Sequence, residues 1–309
     1  MDNRQLEVFL AVAHQGSFTR AATSLHMVQS AASATVAALE ADLREKLFDR
    51  TTRQVRLTAA GRALLPHATA IIDAFQAARD AVEAVGGGLS GSIRVGYMTN
   101  VTLFDIPRLL GRFTRDYPDV TIRLAPATFG TTGLVEQLRN GDIDLGFIAA
   151  EPNTYPDLDL SVLAESPLML SVATDHPLAT RTSMKLAEMA GLRFVDFRKG
   201  FSNRNLVDAE FQRRGLHREV QIESSDTSDT AALVRNGLGA GFLPRYLVEN
   251  DPGLHSIEIE DADFQMYVSV ATARGRTLAA AAGRLAALAR GEADQRQEAD
   301  QRGGTGQAG

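Results

Sequence analysis

The sequence predicts an α/β protein carrying a small all-α head, and three observations lead there. Apolar residues recur at helical spacing in three short runs before residue 58. A seven-residue apolar repeat then occupies 57–85. Beyond it, strand-like and helix-like segments alternate to about residue 290. Such alternation is the pattern of α/β layers with largely parallel sheets.

The first run places Leu6, Phe9, Leu10 and Ala13 on one helical face, with Gly16 as a stop. Ser17 is an N-cap for a second helix whose inner face holds Phe18, Ala21, Ala22 and Leu25. Met27 and Val28 form the turn. A third helix from about Gln29 turns Ala32, Val36, Leu39 and Leu43 inward, and its other face (Gln29, Ser30, Ser33, Ala34, Ala37) is small or uncharged. The alternating residues 53–57 read as a short hairpin or wing. A long helix from about Thr58 to Val85 carries Leu57, Leu64, Ile71, Ala78 and Val85 at heptad spacing, reinforced by Ala68, Phe75 and Val82. Its apolar stripe exceeds what a lone exposed helix carries, so packing against a partner helix is expected, with burial on its own chain as the alternative. Pro66 must kink this helix or lie in its first turns. Three glycines at 86–88 make a joint.

Beyond the joint, strands are expected at 92–97, 120–125, 143–148, 168–173, 193–197, 220–224, 240–243 and 266–271. Helices are expected at 101–117, 133–140 and 278–289. The last stretch, 291–309, repeats EADQR, holds no large apolar residue and reads as a disordered tail.

Composition narrows the function classes. Of 309 residues 44% are hydrophobic and 23% charged, which suits soluble folding in two or three domains. No apolar run reaches the roughly 18 residues a membrane span needs, and the N-terminal residues lack a secretory core, so a cytoplasmic location is expected. With no cysteine there are no disulfides, thiolate metal sites or cysteine nucleophiles. The net charge of −6 does not suggest binding to nucleic acid, but residues 1–58 hold seven Lys/Arg against six Asp/Glu. Arg50, Arg53 and Arg56 lie in an acid-free run inside that near-neutral head.

An ordered string of residues resembles the LysR-type transcriptional regulators. It comprises Leu6 and Phe9, the run Gly16 to Ala22, Leu25, His26, Gln29, Ser33, Leu39, Glu40, the run Leu47 to Arg50, and Leu57, Thr58 and Gly61. Later matches are 140–145 (NGDIDL), 176–179 (HPLA) and 237–244 (GLGAGFLP), so the resemblance spans about residues 2–290. It implies a winged helix-turn-helix DNA-binding domain over 1–58 and a linker helix and hinge over 59–88. An effector-binding domain over 89–290 then has the two-lobed type 2 periplasmic-binding-protein-like fold. The lobes fall at about 91–162 with 267–290, and at 163–266. The resemblance further implies double-stranded promoter DNA and a small-molecule effector as partners, self-association as a dimer and then a homotetramer, and RNA polymerase contact if the protein activates. No cofactor is implied. Where family members often carry Pro, Leu, Arg and Gln, this chain has Ser30, Ala32, Ala34 and Thr35, so operator preference does not transfer.

On this reading Gln29 pairs with an adenine edge, and Ser30, Ser33 and Thr35 reach bases or phosphates. Ala34 permits close approach, and Ser17, Thr19 and Arg20 meet the DNA backbone. Arg50, Arg53 and Arg56 supply phosphate or minor-groove contacts. One head offers few cations, so two heads and a two-fold operator are expected. The effector is expected between the lobes, near strand C-termini. The residues expected there are Thr99, Asn100, Val101, Thr128, Phe129, Phe201, Ser202, Asn203 and Thr227, with Arg198, Lys199 and Arg204 available to draw an anionic ligand. An enzyme is disfavoured, because the six histidines form no metal-spaced pair. In addition, Gly237–Gly241 precedes a strand instead of joining a strand to a helix, so the dinucleotide fingerprint lacks its context. A pure solute-binding protein leaves the head and long helix unexplained.

Overall fold

The structure, a computed structural model, describes residues 1–50, 55–85, 88–98, 102–127 and 129–304. The head is built from α1 (Asn3–Gln15), α2 (Phe18–Ser24) and α3 (Gln29–Leu43), followed by β1 (Phe48–Arg50) and β2 (Val55–Leu57). Local chemistry sets its boundaries. Asp2 and Gln5 exchange hydrogen bonds in a capping box, each 2.8 Å, at the start of α1. Gly16, at φ +55°, ends it, and the Ser17 hydroxyl accepts from Arg20 N–H to start α2. The wing strands pair antiparallel, Phe48 opposite Leu57 and Asp49 opposite Arg56. Leu6, Phe9, Val12, Phe18, Val36, Leu39 and Phe48 form the head's core, with the Phe48 ring set edge-on to Phe18 at 5.7 Å. Leu43, expected inside, is 37% exposed, because the helix ends one residue later at Arg44 with φ +57°.

Glu40 is the exception inside this core. It is 3% exposed, yet its carboxylate accepts from the N–H groups of Leu47 (2.9 Å) and Phe48 (3.3 Å) and from Lys46 Nζ (2.8 Å). Burial pushes its pKa up, but the lysine and the two amides outweigh that and hold it below the ordinary glutamate value. The residue thus pins the wing's entry to α3.

Helix α4 (Ala59–Val85) follows. The Thr58 hydroxyl donates to Lys46 O and accepts from Gly61 N–H. A Cβ at Gly61 would lie 2.2 Å from Leu47 O, so only glycine allows this approach. Pro66 sits inside the helix, past its first turns, and the helix continues. The stripe divides: Ala68 is buried and Leu64 packs against the head's core, whereas Ile71, Phe75 and Val82 are 43%, 50% and 75% exposed.

The body comprises β3 (Gly91–Tyr97), α5 (Ile106–Asp116), β4 (Val120–Pro126), α6 (Gly130–Asn140), β5 (Leu145–Ile148) and β6 (Leu158–Ala173). After these come β7 (Ser183–Met184), β8 (Arg193–Phe197), α7 (Ser202–Arg213), β9 (Glu219–Ser224), α8 (Thr227–Arg235), β10 (Gly241–Pro244), α9 (Arg245–Glu249), β11 (Leu254–Ile259), β12 (Gln265–Ala273) and α10 (Ala280–Gly304). Strand β3 runs parallel to β4 and β5. Strand β12 is antiparallel to β5 and to 158–167 of β6, while the remainder of β6 pairs antiparallel with β10 and β11. Strands β8 and β9 are parallel and meet β10's approach through the Phe194–Ala240 bridge. The sheets are therefore mixed, not largely parallel, and β6 is shared between the two halves of the body. Helix α10 also differs from expectation. It continues through Gly304, and Ala293 is only 2% exposed, so residues just past 291 dock on the body.

Candidate functional site

On the head, α3 presents Gln29, Ser30, Ala34, Ala37 and Ala38 to solvent, while Ala32, Val36 and Leu39 face inward. Val28 ahead of it is 67% exposed. Gln29 Nε2 donates to Ser33 Oγ at 2.9 Å, which orients the amide along the helix face. Ser33 and Thr35 are half-buried, and the Thr35 hydroxyl donates to Ala31 O. Thr19 and Arg20 are exposed at the start of α2, and the Arg20 guanidinium donates to Gln15 O. Arg56 is exposed on β2. Arg53 and the Arg50 side chain lie outside the described residues. The face is a nearly uncharged ridge beside a wing, and it can approach a groove without a desolvation cost for charged groups.

In the body, Phe201, Ser202, Asn203 and Thr227 converge on one cavity with Met98, Ala127, Thr131, Ala149, Phe197, Ser225 and Met266. Phe201 stacks on Phe197 at 5.7 Å. The cavity holds about 40 Å³, far below the roughly 300–1,000 Å³ of ligand sites. Two contacts close it. Ser202 Oγ donates to Ala149 O at 2.7 Å, and Thr132 Oγ1 donates to Gly200 O at 3.0 Å. A neighbouring cleft of about 420 Å³ shares Ala149, Ser202, Asn203 and Met266 and adds Glu151, Tyr155 and Tyr267. Phe129 does not line either cavity and is 71% exposed. Thr99, Asn100, Val101 and Thr128 lie outside the described residues. Arg204 is not available to a ligand: it is 6% exposed and donates to Asp208 (2.6 Å), Glu223 (3.1 Å) and Phe197 O (2.9 Å). Arg198 and Lys199 are exposed and line neither cavity.

Residues 3–62 match the family described as "Bacterial regulatory helix-turn-helix protein, lysR family", and residues 86–294 match the "LysR substrate binding domain". The chain belongs to the LysR family of transcriptional regulators. The relatives agree with this LysR-type assignment. The HTH-type transcriptional regulator YybE of Bacillus subtilis (strain 168) is 30% identical over 278 residues, covering 90% of this chain and 94% of the relative. The RuBisCO operon transcriptional regulator of Allochromatium vinosum is 31% identical over 257 residues, covering 83% and 81%. Full-length CbnR complexed with its target DNA is similar at 26% identity and a TM-score of 0.51, covering 95% of this chain and all of that one. The head of this LysR-family regulator is a DNA-binding domain and its body an effector-binding domain.

The cleft of this regulator includes residues that sequence reasoning missed: Met98, Ala127, Thr131, Ala149, Ser225 and Met266. Met98 follows β3, Ala127 follows β4 and Ala149 follows β5, so the rule that ligands sit beyond strand C-termini pointed at them. Thr131 and Met266 enter only through tertiary packing. No helix among the described residues is long and apolar enough to cross a membrane.

Proposed function

We propose that this chain is a cytoplasmic, non-enzymatic regulator whose α3 ridge reads operator bases in the major groove and whose inter-lobe cleft binds a small effector. The exposed, uncharged face of α3, with Gln29 held by Ser33, carries the reading. Gln29, Ser30, Ser33, Ala34 and Thr35 are the base-facing positions. Ser17, Thr19, Arg20, Arg50, Arg53 and Arg56 contact phosphates. Thr35 is the weakest of the base-facing positions, because it is half-buried and its hydroxyl proton already goes to Ala31 O, which leaves it only as an acceptor.

Self-association is supported by the exposed Ile71, Phe75 and Val82 of α4, which bury only against a partner helix. Pairing puts two heads on a two-fold operator and doubles the few cationic contacts of one head. A homotetramer built from two such dimers is the assembly proposed, with RNA polymerase as a further partner if the protein activates.

The cleft lining supports a small effector with hydroxyl or carboxylate groups. The lining of the small cavity carries no charged side chain among the described residues, and α6 and α7 begin beside it with no side chain capping their first N–H groups, which can meet an anion. Among the described residues no paired acid and base line the cavity, which supports a binding role over catalysis. Ligand entry requires the Ser202–Ala149 and Thr132–Gly200 contacts to part.

The test is footprinting on DNA flanking the chain's own gene, at two salt concentrations, with and without candidate metabolites. Protection of two half-sites one helical turn or a multiple apart is expected. A monomeric sample that protects nothing at low ionic strength refutes the reading.

A further inference from the structure

The turn after α6, residues 140–144, belongs neither to the DNA face nor to the effector cleft, yet it touches all three parts of the molecule. Its contacts to the linker helix are Thr69 Oγ1 donating to Asn140 O at 3.4 Å, and a close approach in which a Cβ at Gly141 would lie 2.3 Å from Thr69 Cγ2. One turn further along α4, Asp73 receives Arg276 Nε at 2.8 Å. The same arginine donates to Leu138 O at 3.0 Å in the last turn of α6. Its contact to the head is Asp142 Oδ1, 3.1 Å from His14 Nε2 on α1. Burial lowers the His14 pKa below its ordinary value against the pull of Asp142, so the contact is a close approach of ring and carboxylate within a partly buried junction. Within the body, Arg94 Nη1 donates to Gly141 O at 2.6 Å, Arg94 Nε donates to Asp144 at 3.2 Å, and the Arg94 backbone N–H donates to Asp144 at 2.7 Å. A space of about 520 Å³ lies between head, linker helix and body around these groups, so the three parts meet through the turn and its neighbours instead of a continuous core.

The other end of α6 lies at the effector cleft. Gly130, at φ +57°, starts the helix directly under Phe201, whose ring would be 3.0 Å from a Cβ there. Thr131 exchanges hydrogen bonds with Ala149, and Thr132 crosses to Gly200 on the opposite lobe. The helix between these ends is 11 residues long, about 16 Å at 1.5 Å per residue, and its inner face (Leu134, Val135, Leu138) is fully packed. A packed helix of that length moves as a rigid unit, because its core side chains interdigitate and bending it would open voids.

We propose that α6 and the 140–144 turn form the mechanical link of this regulator: opening or filling of the cleft displaces the N-terminus of α6, and the turn passes the displacement to the linker helix through Thr69, Asp73 and Arg276 and to the head through His14. The inference rests on the cleft being the effector site. Thr132, Asp142 and Arg276 are positioning residues in it and touch neither DNA nor ligand. Coupling of this kind exists only if both ends bias one element between two arrangements.

The chain has no cysteine, so introduced cysteines label uniquely. Nitroxides at Glu45→Cys on the head and Arg115→Cys on the body, both exposed positions, report the head–body distance by dipolar electron resonance, with labelled full-length chain diluted into excess unlabelled chain. The parent is expected to give one narrow distance distribution. Asp142→Lys, which breaks the head contact, should abolish that narrow peak. Thr132→Val, which keeps shape but removes the inter-lobe hydrogen bond, should shift or broaden the distribution from the far end of α6. Gly130→Val, which drives a wedge against Phe201, should do so more strongly, and if it does not fold, Thr132→Val carries the test. The proposal is overturned if the cleft-end variants leave the parent distribution intact while Asp142→Lys broadens it, and equally if Asp142→Lys changes nothing. Retardation of promoter DNA by the parent chain tests the regulator reading separately, and its failure leaves the distance comparison fully readable.

Discussion

Replacing Glu40 by alanine should loosen the wing. The carboxylate is nearly inaccessible and accepts from two amides, Leu47 and Phe48, at the point where α3 hands over to the wing. Removing it strands both donors, and each buried donor left unsatisfied costs about 1–3 kcal/mol. Lys46, 76% exposed, keeps its own hydration and adds little when its partner goes. Water entering from the Lys46 side relieves part of the loss, so a net destabilisation of the head of about 2–4 kcal/mol is expected. Glu40→Gln keeps one acceptor oxygen and should lose about half as much. Because the chain has more than one domain, a single global melt is not a clean measure. Amide exchange at Leu47, Phe48 and Thr58 is the assay, since Thr58 N–H donates to Leu47 O in the same junction. The pH dependence follows from the same contacts. The folded carboxylate titrates below its unfolded value, so its stabilisation is present above the ordinary glutamate range and is lost as pH falls through the lower, folded value. Glu40→Gln should remove that acid sensitivity. Exchange rates unchanged in Glu40→Ala, or acid sensitivity kept in Glu40→Gln, would refute the reasoning.

Three further outcomes are expected. Gln29→Ala should relax preference at one base pair by about 1–3 kcal/mol of discrimination, whereas Arg56→Ala should weaken all sequences alike and lower the salt slope by about 1; titrations on operator variants at two salt concentrations separate them. Phe75→Asp, on the exposed stripe of α4, should shift the chain toward smaller species in sedimentation and reduce operator affinity at micromolar protein. In the body, Arg218 is almost fully buried against Asp196 (2.5 Å) and Asp208 (2.7 Å), with its guanidinium over the rings of Phe194, Phe211 and Phe242. Arg218→Ala leaves the buried Asp196 with only the more distant Arg204 (3.9 Å) as a cation and should cost about 3–5 kcal/mol in urea unfolding of the body.

The head was legible almost to the residue because its signals are local. A serine cap, a left-handed glycine and a period of 3.6 each act within one turn of chain, and neighbouring residues satisfy them. The body was less legible. Residues 158–167 of β6 pair with β12 and are covered unevenly along their length, so only the apolar half from 168 reads as strand from sequence. Strand β11 was missed for the same reason, with half of its residues only partly covered. Arg204 looked like a ligand contact while Asp208, Glu223 and Phe197 O could not be known to surround it. The tail from 291 looked disordered because alanine and charge carry little burial signal until a surface is present to receive Ala293.

By itself, the order of residues determined the head's three helices, the alternation of the body and the family, since these depend on chemistry within a few turns of chain. Only the tertiary structure decided the antiparallel placing of β12, the division of the α4 stripe between the chain's own core and solvent, the closed state of the cleft, and the meeting of His14, Asp73 and the 140–144 turn. Those features depend on which distant groups share one small volume, and no local periodicity encodes a distance between residues so far apart in sequence.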